Sequence, residues 1–300
     1  MMFLGTIKAL AFADVVSSLP EVEAPAYNPA TTYNIADEVI FDHYVYGCLI
    51  DGTVGKQPDT YSSIYQTPQY WQLKSATNAF AAVDGVLSTP TVNASGDISF
   101  TITGFSNIAG VGIFDAFGTT ATAEFYNGSD ALIDTQIINL VGFNLNSYYE
   151  WLFTQPTSGN TNYVFRNFPV NSAKVVVTIA GDATELGEVA IIETGYTVGD
   201  ALYGSTIRIA SRSIYEDDEF GVPRYIKKPS RINATFEIFG EKAFIETLWG
   251  RLRKLSGDRV VYEAEEGRTV TTGIGLVRDI SVPINMPSGY LFSIELEGVQ

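Results

Sequence analysis

The chain has 300 residues, of which 46% are hydrophobic and 17% are charged. This length and composition are typical of a globular protein with two or three domains, and they exclude extended disorder. The net charge of −16 lies in the first two thirds, since residues 1–204 carry 5 basic and 20 acidic side chains and residues 205–300 carry 13 and 14. An acidic surface repels phosphate groups, so nucleic-acid binding is not expected.

The N-terminal residues form an apolar segment that needs a separate interpretation. Its Ala-x-Ala ending is similar to a secretory signal, but its one cation, Lys8, lies inside the apolar run instead of ahead of it. We therefore expect an ordered N-terminal arm over residues 1–25. No apolar run approaches the roughly 18 residues needed to cross a bilayer, so membrane insertion is not expected. The one cysteine, Cys48, excludes an intramolecular disulfide.

Residues 26–74 consist of short strand-like runs separated by turn residues. Val39–Phe41 and Tyr44–Ile50 are apolar and aromatic, and Asn-Pro, Asp-Gly and Gly-Lys pairs punctuate the segment. The pattern predicts a small three-stranded β module. A sheet of this size needs a large aromatic side chain in its core, and Trp71 is suited to that place.

The aromatic and turn residues of this segment resemble those of the small chitin-binding carbohydrate-binding modules of families 5 and 12. The matching positions are Tyr33, Asp37, Val39, Tyr46, Gly52, Pro58 and Trp71. The chain differs from the family at Ala36, where the family has Gly, and at Leu49–Asp51, where the sugar-stacking tryptophans are missing. Both a purely structural module and a module that binds a host-surface glycan remain open. The resemblance makes these residues candidates for sugar binding: Tyr44, Tyr46, Tyr61, Tyr65 and Trp71.

Residues 75–205 show the alternation of half-buried strands. Ile98, Phe100 and Ile102 share one face of a period-two run, and similar runs follow at Ala123–Tyr126, Ala131–Leu140, Tyr148–Phe153, Lys174–Ile179 and Glu188–Glu193. The spacing predicts a jelly-roll β-sandwich.

The ends of this predicted sandwich resemble the galactose-binding-like, discoidin-type domains. The opening Ala76–Gly85 with Thr89 and the closing pair Val175–Ile179 and Leu186–Ile192 carry the resemblance. Such domains bind ligands through loops, sometimes with calcium near the Asp-Gly turn. One carboxylate falls far short of the oxygens that calcium needs, so we expect Asp84 to form a turn and no metal site.

Residues 206–300 predict an α+β domain with one helix on an antiparallel sheet. Glu241–Leu255 has an apolar stripe at helical spacing, and strands are predicted at Arg231–Phe239, Arg259–Tyr262, Thr269–Val277 and Gly289–Leu296. The acidic run Glu216–Glu219 is expected to be a solvated loop. The candidate assembly residues on the helix are Phe244, Leu248, Trp249 and Leu252.

The order of these modules resembles a family of tail or baseplate structural proteins from tailed bacteriophages. The residues concerned are Asp217–Gly221, Ser293–Gly298 and the seam Trp71–Gly85, where Thr77-Asn78 is kept but Ala79 replaces the family's Arg. The resemblance implies a non-enzymatic virion component of the tail tip, baseplate or neck. Its partners would be other tail or baseplate proteins, and it would form a homo-oligomeric ring. The alternative is a carbohydrate-binding host-recognition or adhesion protein.

The sequence offers no catalytic constellation. His43 is the one histidine, and Cys48 lies five residues away, which on a continuous strand places the two side chains on opposite faces. Gly195–Gly204 is glycine-rich but lacks the Gly-Lys-Ser/Thr of a phosphate loop. Carboxylate pairs for glycoside hydrolysis remain open, because sequence gives no distances. We expect no enzyme, no metal and no cofactor.

Overall fold

The computed structural model describes residues 1–65, 67–141, 161–166, 171–202, 204–217, 223–226, 228, 231–241, 245–282 and 289–298. Their first strands are β1 (Met2–Lys8), β2 (Val15–Ser17), β3 (Glu38–Phe41), β4 (Tyr44–Cys48), β5 (Trp71–Ala76), β6 (Thr91–Asn93), β7 (Ile98–Ile102), β8 (Gly110–Ala116), β9 (Thr120–Tyr126) and β10 (Leu132–Asn139). The later strands are β11 (Thr161–Arg166), β12 (Lys174–Ala180), β13 (Thr184–Leu186), β14 (Glu188–Ala201), β15 (Thr206–Ala210), β16 (Ile214–Asp217), β17 (Pro223–Ile226), β18 (Arg231–Glu241), β19 (Arg259–Glu263), β20 (Thr272–Ser281) and β21 (Gly289–Gly298). The α-helix α1 is Ile245–Leu255, and 3-10 turns cover Phe12–Asp14, Ala81–Val83 and Thr269–Thr271. The prediction of a mainly β fold is confirmed.

The small module is an antiparallel sheet in the order β3-β4-β5. Its core consists of side chains from all three strands and from the loop before them: Tyr33, Val39, Tyr46, Cys48 and Trp71. Trp71 is fully buried, and its ring lies 5.3 Å from the ring of Tyr33 in an edge-to-face arrangement. One indole therefore fills the centre of a sheet that is too small to make a core from aliphatic residues.

The sandwich has a five-stranded sheet in the order β10-β9-β12-β7-β2. Its inward side chains alternate along β7 and β12, where Phe100 and Val177 are fully buried. The opposing layer is formed by β11, β8 and the first half of β14, and both layers contribute to one core. The predicted sandwich is confirmed, and the run Tyr148–Phe153 lies outside the described residues.

Two strands of the second layer, β8 and β11, have no counterpart among the predicted runs. Six of the seven residues of β8 are buried, so the strand shows no alternation. Gly110 permits the close approach of β11, because a Cβ there would lie 2.3 Å from the carbonyl oxygen of Phe165. A strand that is buried on both faces carries no period-two signal, which explains why it was missed.

The C-terminal strands form a closed barrel. The hydrogen-bonded order runs β14-β1-β19-β20-β21-β18, and the end of β14 then pairs with β18 through Asp200↔Phe239 and Ala201↔Ile238. Helix α1 adds Leu252 and Leu255 to the core of this barrel, in agreement with the predicted helix on an antiparallel sheet. The barrel and the sandwich share β14, which pairs with β8 in the sandwich and with β1 and β18 in the barrel.

The N-terminal residues differ from the arm that the sequence suggested. Strand β1 is one of the strands of the barrel and pairs with β14 on one side and β19 on the other. Its residues Met2, Phe3 and Leu4 are buried. Strand β2 then forms one edge of the sandwich. The partners of β1 are distant in sequence; for example, the hydroxyl of Thr6 donates to the carbonyl of Thr194 across 188 residues. Local sequence has no signal for such a pairing.

Candidate functional site

Two of the five candidate sugar-binding residues are internal. Trp71 and Tyr46 are 0% and 5% exposed and belong to the core of the small module. Their rings have no free face for a ligand, because a stacked sugar needs an aromatic face that solvent can reach. Tyr44 lies at the junction with the sandwich, where its ring is 5.1 Å from that of Phe12. The remaining two candidates, Tyr61 and Tyr65, lie on the loop between β4 and β5.

That loop carries a cluster of side chains that we call the aromatic platform, defined as Lys56, Tyr61 and Tyr70. The rings of Tyr61 and Tyr70 meet edge to face at 5.7 Å, and the Lys56 ammonium lies 4.8 Å and 5.3 Å from their centroids. All three side chains are partly exposed. Tyr65, on the same loop, is 92% exposed.

The platform is held in place by the core beneath it. The indole N–H of Trp71 donates to the carbonyl of Lys56 at 2.7 Å, and the amide N–H of Tyr70 donates to the carbonyl of Tyr61 at 3.1 Å. The side-chain amide of Gln69 donates to the carbonyls of Ser62 and Trp71 at 2.8 Å and 2.9 Å. The backbone under the two rings is therefore fixed before any ligand arrives, which lowers the entropic cost of binding.

Sequence reasoning missed Tyr70 and Lys56 as members of this surface. The strand period could have found Tyr70, because it precedes Trp71 and successive side chains point to opposite sides of an extended chain. Lys56 could not have been found in this way, since residues 57–60 between it and Tyr61 form an irregular loop with no strand period.

The small module meets the sandwich at His43. The imidazole stacks on the ring of Phe80 at 3.9 Å, and its Nδ1 lies 3.1 Å from a carboxylate oxygen of Glu21. The same oxygen accepts a hydrogen bond from the hydroxyl of Thr77 at 2.7 Å. Cys48 is buried and its thiol donates to the carbonyl of Ile50, so the geometry engages both side chains in structural contacts.

A cleft of about 440 Å³ with a mixed polar and apolar lining is located where the sandwich meets the barrel. Its walls come from the end of β1, the turn at Asp84-Gly85, the start of β14 and the start of β19. Glu188, in the sandwich half of β14, is 3% exposed and forms an ion pair with Arg259 at the start of the barrel strand β19. A second ion pair, between Arg166 and the 1% exposed Glu263, joins β11 to β19.

Burial shifts the pKa of two acids in this cleft, Glu188 and Asp84. Burial raises the pKa of Glu188 above its ordinary value, although the neighbouring Arg259 opposes the shift. Burial also raises the pKa of Asp84, and hydrogen bonds from the Val86 amide and the Thr89 hydroxyl oppose it. Through these bonds the Asp84 carboxylate stabilises a turn that begins at this residue, as its Asp-Gly sequence indicates.

The described residues contain no group of three or more His, Cys, Asp or Glu side chains placed to hold a metal ion. In the same part of the chain, no helix is both long enough and apolar enough to cross a lipid bilayer.

The candidate assembly residues of α1 divide into two kinds. Leu248 and Leu252 are 8% and 1% exposed and pack in the barrel core, so they stabilise the fold of the chain itself. Trp249 is 45% exposed and remains available to a partner. Phe244 lies outside the described residues.

Comparisons with known proteins give only weak likenesses. No protein-family model matches this chain, and no curated protein matches it either. Among solved structures, the chain is similar to the lectin domain of lectinolysin complexed with Lewis B antigen, with 12% identity and a TM-score of 0.27 over 38% of this chain and 82% of that one. It is similar to a Streptococcus pneumoniae fucose binding module, with 13% identity and a TM-score of 0.27 over 38% and 81%. Likenesses at this level carry no argument about function.

Proposed function

We propose that this chain is a non-enzymatic carbohydrate-binding protein that recognises a host-surface glycan through its small module. The observation that supports the proposal is the aromatic platform. It places two partly exposed tyrosine rings and an ammonium group on a backbone that is fixed to a buried indole. Aromatic faces combine a large apolar contact with a polar hydroxyl, which suits a ligand that has one apolar face and many hydroxyls.

Tyr61→Ala and Tyr70→Ala should each weaken glycan binding by about fivefold to tenfold, because each removes one ring contact worth about 1 kcal/mol. The intact protein and both variants would be applied to an array of neutral and acidic glycans, and the dissociation constants of retained glycans measured. Tyr215→Ala is the matched control, since Tyr215 is 69% exposed but lies on the β16–β17 hairpin. Absence of any retained glycan, or equal binding by all four proteins, would overturn the proposal.

A second candidate is a structural role in a tailed-phage virion, at the tail tip, baseplate or neck. Exposed apolar side chains favour it: Ile209 on β15 is 74% exposed, and the cross-strand neighbours Tyr215 and Tyr225 are 69% and 63% exposed. Strand β15 is at the end of its sheet among the described residues. Apolar side chains on an open sheet edge are typical of a protein–protein contact. The partners would be further copies of the chain in a symmetric ring and other tail or baseplate proteins.

Electron microscopy of the parent particle tests this second candidate. We expect density for the chain in a ring, with Ile209, Tyr215 and Tyr225 at contacts between subunits. Ile209→Asp should then remove the chain from the particle without changing its glycan binding. A chain that occurs only as a free protein and stays monomeric at high concentration would contradict the virion role and leave the glycan role intact.

A further inference from the structure

Lys56 is fixed to the small module at its main chain. Its carbonyl accepts the hydrogen bond from Trp71, whose side chain is fully buried. The preceding Gly55 has a φ of +65°, and its N–H donates to the carbonyl of Pro29 at 3.1 Å. The main chain from which the Lys56 side chain extends is therefore fixed by hydrogen bonds to the rest of the module.

The ammonium of Lys56 also has a defined position. It lies over the rings of both Tyr61 and Tyr70, within the distance at which an aromatic face attracts a cation. A sugar that stacks on the exposed part of either ring therefore meets a positive charge at a defined position.

The charges around Lys56 distinguish it from the neighbouring lysines. Residues 1–140 contain three basic side chains, Lys8, Lys56 and Lys74. Lys8 donates to the carbonyl of Gly104 at 2.6 Å, and Lys74 forms an ion pair with Glu38. Within the described residues, no ion pair engages Lys56, and the three N–H donors of its ammonium remain available to a ligand.

The net charge of the chain opposes an acidic ligand. That repulsion acts mostly at long range, and at about 0.15 M salt charges are screened beyond about 8 Å. A contact between the ligand and an ammonium is shorter than this distance and is a charge-assisted hydrogen bond. The direct contact with the ammonium therefore decides whether an acidic or a neutral sugar binds more tightly. The net negative charge of the chain only slows the approach of an acidic ligand.

From these observations we infer that the aromatic platform selects acidic sugars, with Lys56 as the residue that determines specificity through a ligand carboxylate or sulfate. The inference rests on the proposed glycan binding and adds the chemical class of the ligand. Hydroxyl contacts and ring stacking supply affinity for any sugar, whereas the ammonium distinguishes an acidic sugar from its neutral analogue.

The test compares matched ligands and matched variants of the full chain. The array would contain uronate, sialylated and sulfated oligosaccharides, each beside its carboxyl-reduced or desulfated form, and binding would be measured for the unmodified chain, Lys56→Gln and Lys74→Gln. We expect the acidic member of a pair to bind about tenfold more tightly, since a hydrogen bond to a charged group contributes that much. Lys56→Gln should abolish the difference, and Lys74→Gln should keep it. Raising the salt from about 0.15 M to about 1 M should weaken only the acidic member.

The outcomes separate this inference from the proposed function. Equal binding of acidic and neutral members, or an acidic preference that survives Lys56→Gln, overturns the role of Lys56 while leaving glycan binding in place. No retention of any glycan overturns both. A melting temperature of Lys56→Gln equal to that of the unmodified chain shows that the variant remains folded. A lost preference for the acidic sugar then reports the missing charge.

Discussion

Replacing Leu4 by aspartate should unfold the C-terminal barrel, although Leu4 precedes the other barrel strands by almost two hundred residues. Leu4 is 0% exposed in β1, where it belongs to the same core as Phe236, Ile294 and Leu252 of the barrel. The variant loses a buried apolar side chain and places a carboxylate in its position. Together these changes should lower the free energy of unfolding by about 4 kcal/mol or more. Loss of far-ultraviolet circular dichroism on heating would measure the effect.

Val16→Asp is the control for this prediction. Val16 is also an apolar strand residue near the N-terminus, but it is 66% exposed on β2. An exposed acid should change the free energy of unfolding by less than about 0.5 kcal/mol. Equal melting temperatures for the Leu4 and Val16 variants would contradict the place of β1 inside the barrel.

Arg259→Met should destabilise the junction of sandwich and barrel by about 3 kcal/mol at neutral pH, because it leaves the buried carboxylate of Glu188 without its partner. The double variant Arg259→Met/Glu188→Gln removes the uncompensated charge and should recover most of the loss. Chemical denaturation of the two single variants and the double variant gives the coupling energy directly. A double variant as unstable as Arg259→Met would show that the guanidinium acts through packing.

The same pair predicts a pH dependence whose sign follows from the raised pKa of Glu188. The folded chain holds the proton more tightly than the unfolded chain, where the group titrates near 4.5. The stabilisation from the protonated form is therefore complete below about pH 4.5 and disappears as the pH rises through the higher pKa of the folded state. Arg259→Met should steepen this loss, since Arg259 lowers that pKa. Melting temperatures between pH 4.5 and pH 8 would measure it, and a variant whose deficit is independent of pH would refute the assignment to Glu188.

Much of the fold could be read from local patterns. The alternation of Ile98, Phe100 and Ile102 and the helical spacing of Leu248, Leu252 and Leu255 each report one buried face, and the structure buries those faces. The closed barrel could not be predicted, because its circular order depends on pairings of β1 and β14 with strands far along the chain. Which strands pair over such sequence distances depends on how complete layers pack together, and a short stretch of sequence does not show this.

The candidate site could be predicted in part. Aromatic residues and turn spacing selected the small module as the candidate, and Tyr61 belongs to the aromatic platform. The same signal selected Trp71, because the hydrophobic force that buries an indole and the stacking that presents it to a sugar favour the same residue type. Only the three-dimensional arrangement separates the two roles.

The circular strand order of the barrel also determines which parts of the chain can fold early during synthesis and which must fold late. Strands β3, β4 and β5 pair within residues 38–76, so the small module can form while the ribosome still holds the rest of the chain. Strand β1 is synthesised long before its partner β19, and the circle closes only after β20 and β21 have been made. Contacts of such long range form slowly. A nascent chain therefore displays its proposed recognition surface well before the barrel is complete.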